Sequence, residues 1–107
     1  MGISDDVIKK IIRRVLRVSK PDQIILFGSA AAGRMTSDSD IDLLIVKKNV
    51  KDRFAESAKI DNVLGGLGYP FDVIVMPLER FEETKNLIGG LAYPANKYGK
   101  VIYAQTA

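Results

Sequence analysis

The sequence predicts an α/β (α+β) fold, because segments with a helical spacing of apolar residues alternate with short apolar runs of strand length. This alternation implies a β-sheet that is backed by helices on at least one face. A length of 107 residues with 47% hydrophobic composition suits one domain, residues 1–107, with its own core.

The first half of the chain is predicted to begin with an amphipathic helix. Ser4 is a suitable N-cap, acidic residues follow it in the first turn, and an apolar stripe at helical spacing continues to about Val18. Two apolar strands come next, Gln23–Phe27 and Ile41–Val46, which are joined by a Gly-Ser turn and a polar loop.

The second half repeats this alternation. A helix is expected between Asp52, which suits its N-cap, and the glycines that follow Leu64. The remaining predicted elements are a strand, a helix and a final strand: Phe71–Met76, Pro77–Ile88 and Lys100–Ala104. Pro94 and the two glycines a few residues before it are expected to fragment the chain ahead of that final strand.

The absent residue types exclude whole classes of chemistry. The chain has no cysteine, which excludes disulfides, thiol nucleophiles and cysteine-ligated metals. It also has no histidine, which excludes a Ser-His-Asp triad and histidine-ligated metals. The remaining acidic, basic and hydroxyl side chains suit metal-assisted phosphoryl or nucleotidyl transfer. The lack of cysteine fits a reducing compartment and no apolar run could span a bilayer, so we expect a cytoplasmic protein.

The net charge of +3 is unevenly distributed along the chain. Six cationic side chains lie within the first twenty residues: Lys9, Lys10, Arg13, Arg14, Arg17 and Lys20. They are typical of the solvated face of an amphipathic helix, which we favour over a nucleic-acid surface. An acidic partner and the attraction of nucleotide are further alternatives.

The most informative pattern joins a Gly-Ser turn to a pair of aspartates. Gly28 and Ser29 follow the first strand, where backbone N–H groups and a hydroxyl suit phosphate oxygens. Asp40 and Asp42 open the second strand and should share a face, with Cα atoms roughly 6–7 Å apart. Two such carboxylates repel each other unless a cation joins them, and oxygen ligands favour Mg²⁺ or Mn²⁺. A phosphate-binding turn beside a hard-metal site indicates nucleotide chemistry.

A P-loop is the rival interpretation of the turn, because Gly28 and Gly33 follow a strand with P-loop spacing. However, Arg34 stands where the phosphate-binding lysine belongs, and Met35 replaces the hydroxyl residue that binds magnesium. We therefore reject the P-loop.

The ordered set of Gly28-Ser29, Asp40-x-Asp42 and a third strand aspartate, Asp72, resembles the minimal nucleotidyltransferase family, within the polymerase-beta-like nucleotidyltransferase superfamily. The resemblance covers most of the chain and implies the nucleotidyltransferase fold, a small mixed sheet on which three carboxylates meet on adjacent strands. It implies that the first two aspartates bind the metals that hold the triphosphate. The third would bind a second metal and help activate the acceptor hydroxyl.

The turn is where the chain departs from the family. Gly28 and Ser29 would bind the phosphates of ATP, and Arg34 would neutralise phosphate charge, unless it is simply an exposed loop arginine. Family members often carry an arginine shortly after the Gly-Ser pair, whereas this chain has Ala30, Ala31 and Ala32 there.

The resemblance also implies a biological setting. Stand-alone family members commonly accompany a HEPN-domain protein as the antitoxin of a toxin–antitoxin pair, and they transfer AMP from ATP to a tyrosine hydroxyl of that partner. We therefore expect a Mg²⁺-dependent protein adenylyltransferase with two metal ions, in complex with a HEPN-type toxin and without membrane or nucleic-acid partners. The alternatives are a non-catalytic module that neutralises its partner by docking, and a small-molecule nucleotidyltransferase, which usually carries an additional helical domain.

Overall fold

The computed structural model describes residues 3–36 and 39–105. Within them, the strands are β1 Gln23–Phe27, β2 Ile41–Lys47, β3 Phe71–Pro77 and β4 Lys100–Ala104. They form one mixed sheet with the order β3-β2-β1-β4. β1 is antiparallel to both of its neighbours, and β2 is parallel to β3 because the chain crosses over between them through a helix. The predicted α/β (α+β) fold with a small mixed sheet is confirmed.

Five helices accompany the sheet in the described residues, and the two longest begin at side-chain caps. They are α1 Asp5–Val18, α2 Gly28–Ala31, α3 Arg53–Leu64, α4 Leu78–Thr84 and α5 Ala92–Tyr98. The Ser4 hydroxyl accepts the N–H of Val7 at 3.3 Å, and the Asp52 carboxylate accepts the N–H groups that open α3 at 3.1 Å each. In the described part of the chain, no helix has the length and apolar character that crossing a bilayer requires.

Two predictions near the C-terminus are wrong. α4 ends at Thr84 and does not reach Ile88, because Leu87 and Ile88 are 60% and 85% exposed and a longer helix would bury neither. Pro94 does not fragment the chain. It lies in the first turn of α5, where a backbone N–H has no partner within the helix and its loss costs little.

The sheet carries an apolar layer on each face. α1 and α3 cover one face, where the buried cluster consists of Ile11, Val15, Ile24, Leu26, Ala30, Ile41, Leu43, Ile45, Ile60, Leu64 and Val75. α4 and α5 cover the other face, where the buried cluster consists of Ile25, Leu44, Val46, Met76, Phe81, Ala92 and Ala95. Alternate residues of β2 supply both layers, which makes this strand the centre of the fold.

An ion-pair cluster ties α1, β2 and α3 together where β2 ends. The Glu56 carboxylate accepts hydrogen bonds from the Ser19 hydroxyl and the Lys47 ammonium at 2.7 Å each, and Lys59 lies 3.1 Å from its second oxygen. Burial of the carboxylate acts to raise its pKa, but the hydrogen bonds from Lys47, Ser19 and Lys59 outweigh burial and lower the pKa of Glu56 from 4.5 to about 2.

We expect Glu56→Gln to lower the free energy of unfolding by about 2 kcal/mol at neutral pH, because the ionised carboxylate is stabilised in the folded chain. The folded pKa lies below the ordinary value, so this contribution is complete above about pH 4.5 and disappears as the pH falls towards about 2. Urea unfolding across that range should show a smaller loss of stability in the variant than in the wild type.

Glu82→Gln is the matched control, because Glu82 pairs with Lys85 at 2.8 Å but its side chain is 48% exposed. That substitution should change the free energy of unfolding by less than about 0.5 kcal/mol. Equal effects at the two positions would contradict a stabilising role for the Glu56 cluster.

Candidate active site

The register of the sheet brings two of the predicted aspartates together. Asp42 pairs with Asp72 across the parallel strands β2 and β3, and with Phe27 across the antiparallel strands β1 and β2. Paired residues on neighbouring strands, about 4.8 Å apart, project their side chains from the same face. Leu44, two residues after Asp42, belongs to the α4/α5 layer, so these carboxylates lie at the edge of that layer.

Asp40 completes the group from the segment just before β2, where it is exposed. Partial burial raises the pKa of Asp42, and the negative charges of Asp72 and then Asp40 raise it further. The three carboxylates therefore lie within electrostatic reach of one another. Within residues 3–36 and 39–105, no three acidic side chains are gathered into a ready-made metal cage. Like charges resist such a gathering until a cation compensates them.

Gly28 lies directly against the Asp42 carboxylate. Its backbone φ of +69° lies in the left-handed region, which residues other than glycine rarely adopt. A Cβ at this position would collide with the Asp42 carboxylate oxygen and lie 3.2 Å from its Cγ atom. The sequence suggested that the glycine admits a phosphate. The structure adds a different reason, since glycine leaves room for the Asp42 side chain itself.

Ser29 and Arg34 lie on the turn that follows β1. Ser29 is partly buried in α2, and its hydroxyl has no hydrogen-bond partner among the described residues. The backbone N–H of Arg34 donates to the Ser29 carbonyl at 2.8 Å, which folds the loop back onto α2. The Arg34 side chain is exposed and forms no ion pair with any residue described, so its phosphate-binding role stays a prediction. Ser37 and Asp38, farther along this loop, lie outside the described residues.

The helix beside this turn, α5, was not predicted from the sequence. α5 contacts α2, and Gly99 at its end packs so tightly that a Cβ would lie 3.0 Å from the Leu26 carbonyl oxygen. This close contact places the C-terminal end of α5 beside the end of β1, just before the Gly28 turn. Pro94 argued against a helix in this segment. The spacing of Ala92 and Ala95, three residues apart, was nevertheless a usable helical signal, and both side chains are buried against the sheet.

Gly28→Ala should destabilise the fold more than Gly33→Ala. Both glycines have a left-handed φ, +69° and +71°, but a Cβ at Gly33 would meet nothing within 4 Å. Gly33→Ala should therefore lower the free energy of unfolding by about 1 kcal/mol. Gly28→Ala should lower it further, because its Cβ would also collide with the Asp42 carboxylate.

A double-mutant cycle isolates that collision. Asp42→Ala in the Gly28→Ala background should recover part of the lost stability, which chemical denaturation can measure. Equal losses at the two glycines, with no recovery, would mean that Asp42 does not require glycine at its neighbour.

Comparison with solved structures supports the same fold. A crystal structure of a toxin–antitoxin complex with AMP-PNP contains a chain that aligns with 92% of this one and 73% of its own length, at a TM-score of 0.65 and 20% identity. A "putative nucleotidyltransferase" from Sulfolobus solfataricus aligns with 98% of this chain and 93% of its own, at a TM-score of 0.56 and 21% identity.

Sequence comparison identifies the family. A protein of Methanocaldococcus jannaschii, named a "putative protein adenylyltransferase", is 34% identical over 70 residues, which is 65% of this chain and 69% of that protein. The family model for the nucleotidyltransferase domain matches residues 8–93, a range that contains the Gly-Ser turn and all three aspartates. The resemblance found in the sequence is confirmed, and the chain belongs to the nucleotidyltransferase domain family.

Proposed function

We propose that this nucleotidyltransferase transfers AMP from ATP to a hydroxyl group of a protein, in a Mg²⁺-dependent reaction. The observation that carries the proposal is the register, in which Asp42 pairs with Asp72 on one side and with Phe27, next to Gly28, on the other. Two relatives support it: the archaeal protein is named for protein adenylylation, and the solved toxin–antitoxin complex contains an ATP analogue.

The donor set of the site fits Mg²⁺. Asp40, Asp42 and Asp72 offer only oxygen atoms. Burial and then the charges of Asp72 and Asp40 raise the pKa of Asp42, and a bound cation would relieve the repulsion between these carboxylates. Mg²⁺ held by these residues would neutralise the triphosphate and the leaving group. The free Ser29 hydroxyl and the backbone of the turn would bind phosphate oxygens, as the family resemblance implies.

The proposed transfer is a displacement at the α-phosphorus of ATP, with Asp72 as the proton acceptor. The acceptor oxygen forms a bond to the α-phosphorus of ATP, the bond from that phosphorus to the bridging oxygen breaks, and pyrophosphate leaves. The proton of the acceptor hydroxyl passes to Asp72. Asp72 is exposed on the edge strand β3, where a protein acceptor can reach it, whereas Asp42 is partly buried.

The proposed acceptor is a tyrosine of a HEPN-type toxin, which this chain would neutralise as an antitoxin in the cytoplasm. The toxin–antitoxin neighbour supports this setting, because its fold matches most of the chain. The second candidate is a non-catalytic antitoxin that acts by docking. Three carboxylates within electrostatic reach favour the enzyme, since a docking surface gains nothing from their repulsion.

Asp40→Asn with Asp42→Asn should abolish the effect of Mg²⁺ on ATP affinity. The wild type should bind ATP more tightly with Mg²⁺ than with EDTA in titration calorimetry, and the variant should bind equally under both conditions. Asp5→Asn with Asp6→Asn, an exposed acidic pair on α1, is the charge-matched control and should keep the difference. Loss of the difference in the control variant, or no difference in the wild type, would contradict the metal site.

Asp72→Asn should impair transfer far more than binding, because activation of the acceptor stabilises the transition state. We expect ATP affinity within a few-fold of wild type and transfer of labelled AMP to a co-expressed partner reduced by about 10²-fold or more. Asp61→Asn is the local control, since Asp61 and Asp72 line the same shallow depression between α3 and β3. Wild-type transfer by Asp72→Asn would show that Asp72 is only a surface residue.

A wild-type chain that neutralises its partner without transferring AMP would favour the docking module. A pull-down of the partner by Asp72→Asn should succeed in either case, which separates docking from chemistry.

A further inference from the structure

We propose that the end of the sheet opposite the carboxylates is a docking surface for an acidic protein segment that also carries a large apolar side chain. The surface is a depression of about 520 Å³ between the end of α1, the end of β2 and the last described residue after β4. We call it the basic depression. The carboxylates lie at the start of β2 and Lys47 at its end, so about 20 Å of strand separates the two sites.

Among the residues that the structure describes, the lining of the basic depression includes cations and no acidic side chain. Those described are Leu16, Arg17, Val18, Ser19, Lys20, Lys47, Lys48, Asn49 and Gln105. Lys47 is neutralised by Glu56, but the side chains of Arg17, Lys20 and Lys48 form no ion pair in residues 3–36 and 39–105. Asp22 is close, since it accepts the backbone N–H of Lys48 at 2.9 Å, yet it does not line the depression. The depression therefore holds an excess of cations.

The outer face of α1 extends this charge. Lys9, Arg13 and Arg17 are exposed at intervals of four residues, which places them along one side of the helix over about 12 Å, and Lys20 follows just beyond the end of α1. Arg14 does not join them, because its guanidinium donates to the carbonyl oxygens of Val63 and Gly65 at 3.2 and 2.9 Å. Within the basic cluster of the sequence, Arg14 is thus a structural arginine that caps α3, whereas Lys9, Arg13 and Arg17 form an open cationic face.

The apolar component of the depression favours a protein over a nucleic acid. Leu16 is 40% exposed and lies among the cations, with Val18 beside it in the lining. Single-stranded nucleic acids are usually held by cations together with aromatic rings that stack on bases, and no aromatic residue is among the described lining residues. An acidic segment with one apolar side chain would satisfy both features, because its carboxylates would meet the cations while the apolar group packs on Leu16.

The test uses a short fluorescein-labelled peptide of glutamates with two spaced leucines, followed by fluorescence anisotropy at low and at physiological salt. Arg17→Glu with Lys20→Glu should weaken its binding at least about tenfold. Leu16→Ser should weaken it about threefold or more and leave an all-glutamate peptide unaffected. Arg80→Glu with Lys100→Glu, two exposed cations outside the depression, makes the same change in net charge and should alter affinity less than about twofold.

Three results would overturn the proposal. These are no peptide binding at low salt, equal weakening by the control pair, and an oligothymidylate that binds more tightly than the peptide and depends on Arg17 and Lys20. The last result would assign the surface to nucleic acid. Should the double variant fail to unfold cooperatively, Lys48→Glu takes its place, with an expected loss of about threefold or more. The proposal does not depend on AMP transfer, because Mg²⁺-dependent ATP binding is measured separately and should be unchanged in Arg17→Glu with Lys20→Glu.

Discussion

The position of β2 between an antiparallel and a parallel neighbour is the constraint on which the rest of the structure depends. Ile41 and the run from Leu43 to Val46 are fully buried, and successive residues supply opposite layers of the core. A shift in register by one residue would turn every one of these side chains to the wrong face. The same alternation fixes Asp42 opposite Asp72, so the hydrophobic core and the candidate site are specified by one pattern.

The two ends of the sheet balance charge in different ways. At the end where β2 finishes, Glu56 is matched by Lys47, Lys59 and the Ser19 hydroxyl, so a partly buried carboxylate stabilises the fold. At the other end, Asp42 lies near Asp72 and Asp40, and no ion pair compensates it among the described residues. The absence of a side chain at Gly28 leaves space for the Asp42 carboxylate. The charge-balanced cluster and the candidate site therefore lie at opposite ends of the sheet, and unfavourable charge clusters are a common feature of ligand-binding sites.

Much of the fold could be predicted from local sequence, because apolar periodicity and capping residues act over a few positions. The Ser4 and Asp52 caps and the order of strands along the chain are of this kind. The contact of Gly28 with Asp42 could not be predicted, since it depends on the pairing of Phe27 with Asp42 across two strands. Arg14 could not be told apart from its basic neighbours, because only the placement of α3 shows which cation meets its C-terminus. The three aspartates could be recognised from the sequence alone, because the resemblance to the family depends on their order along the chain and not on their contacts in the fold.

The sheet order also gives the carboxylates of Asp42 and Asp72 different surroundings. β2 lies inside the sheet, so Asp42 is partly enclosed by neighbours on both sides and suits a site that holds a ligand. β3 lies at the edge, so Asp72 has a paired strand on one side and no strand on the other, where it borders the shallow depression beside α3. A macromolecular acceptor needs that unpaired side, because its hydroxyl is carried on a bulky surface that cannot enter a closed pocket. A small mixed sheet that ends at β3 therefore suits transfer to a protein, whereas a further strand beside Asp72 would obstruct it.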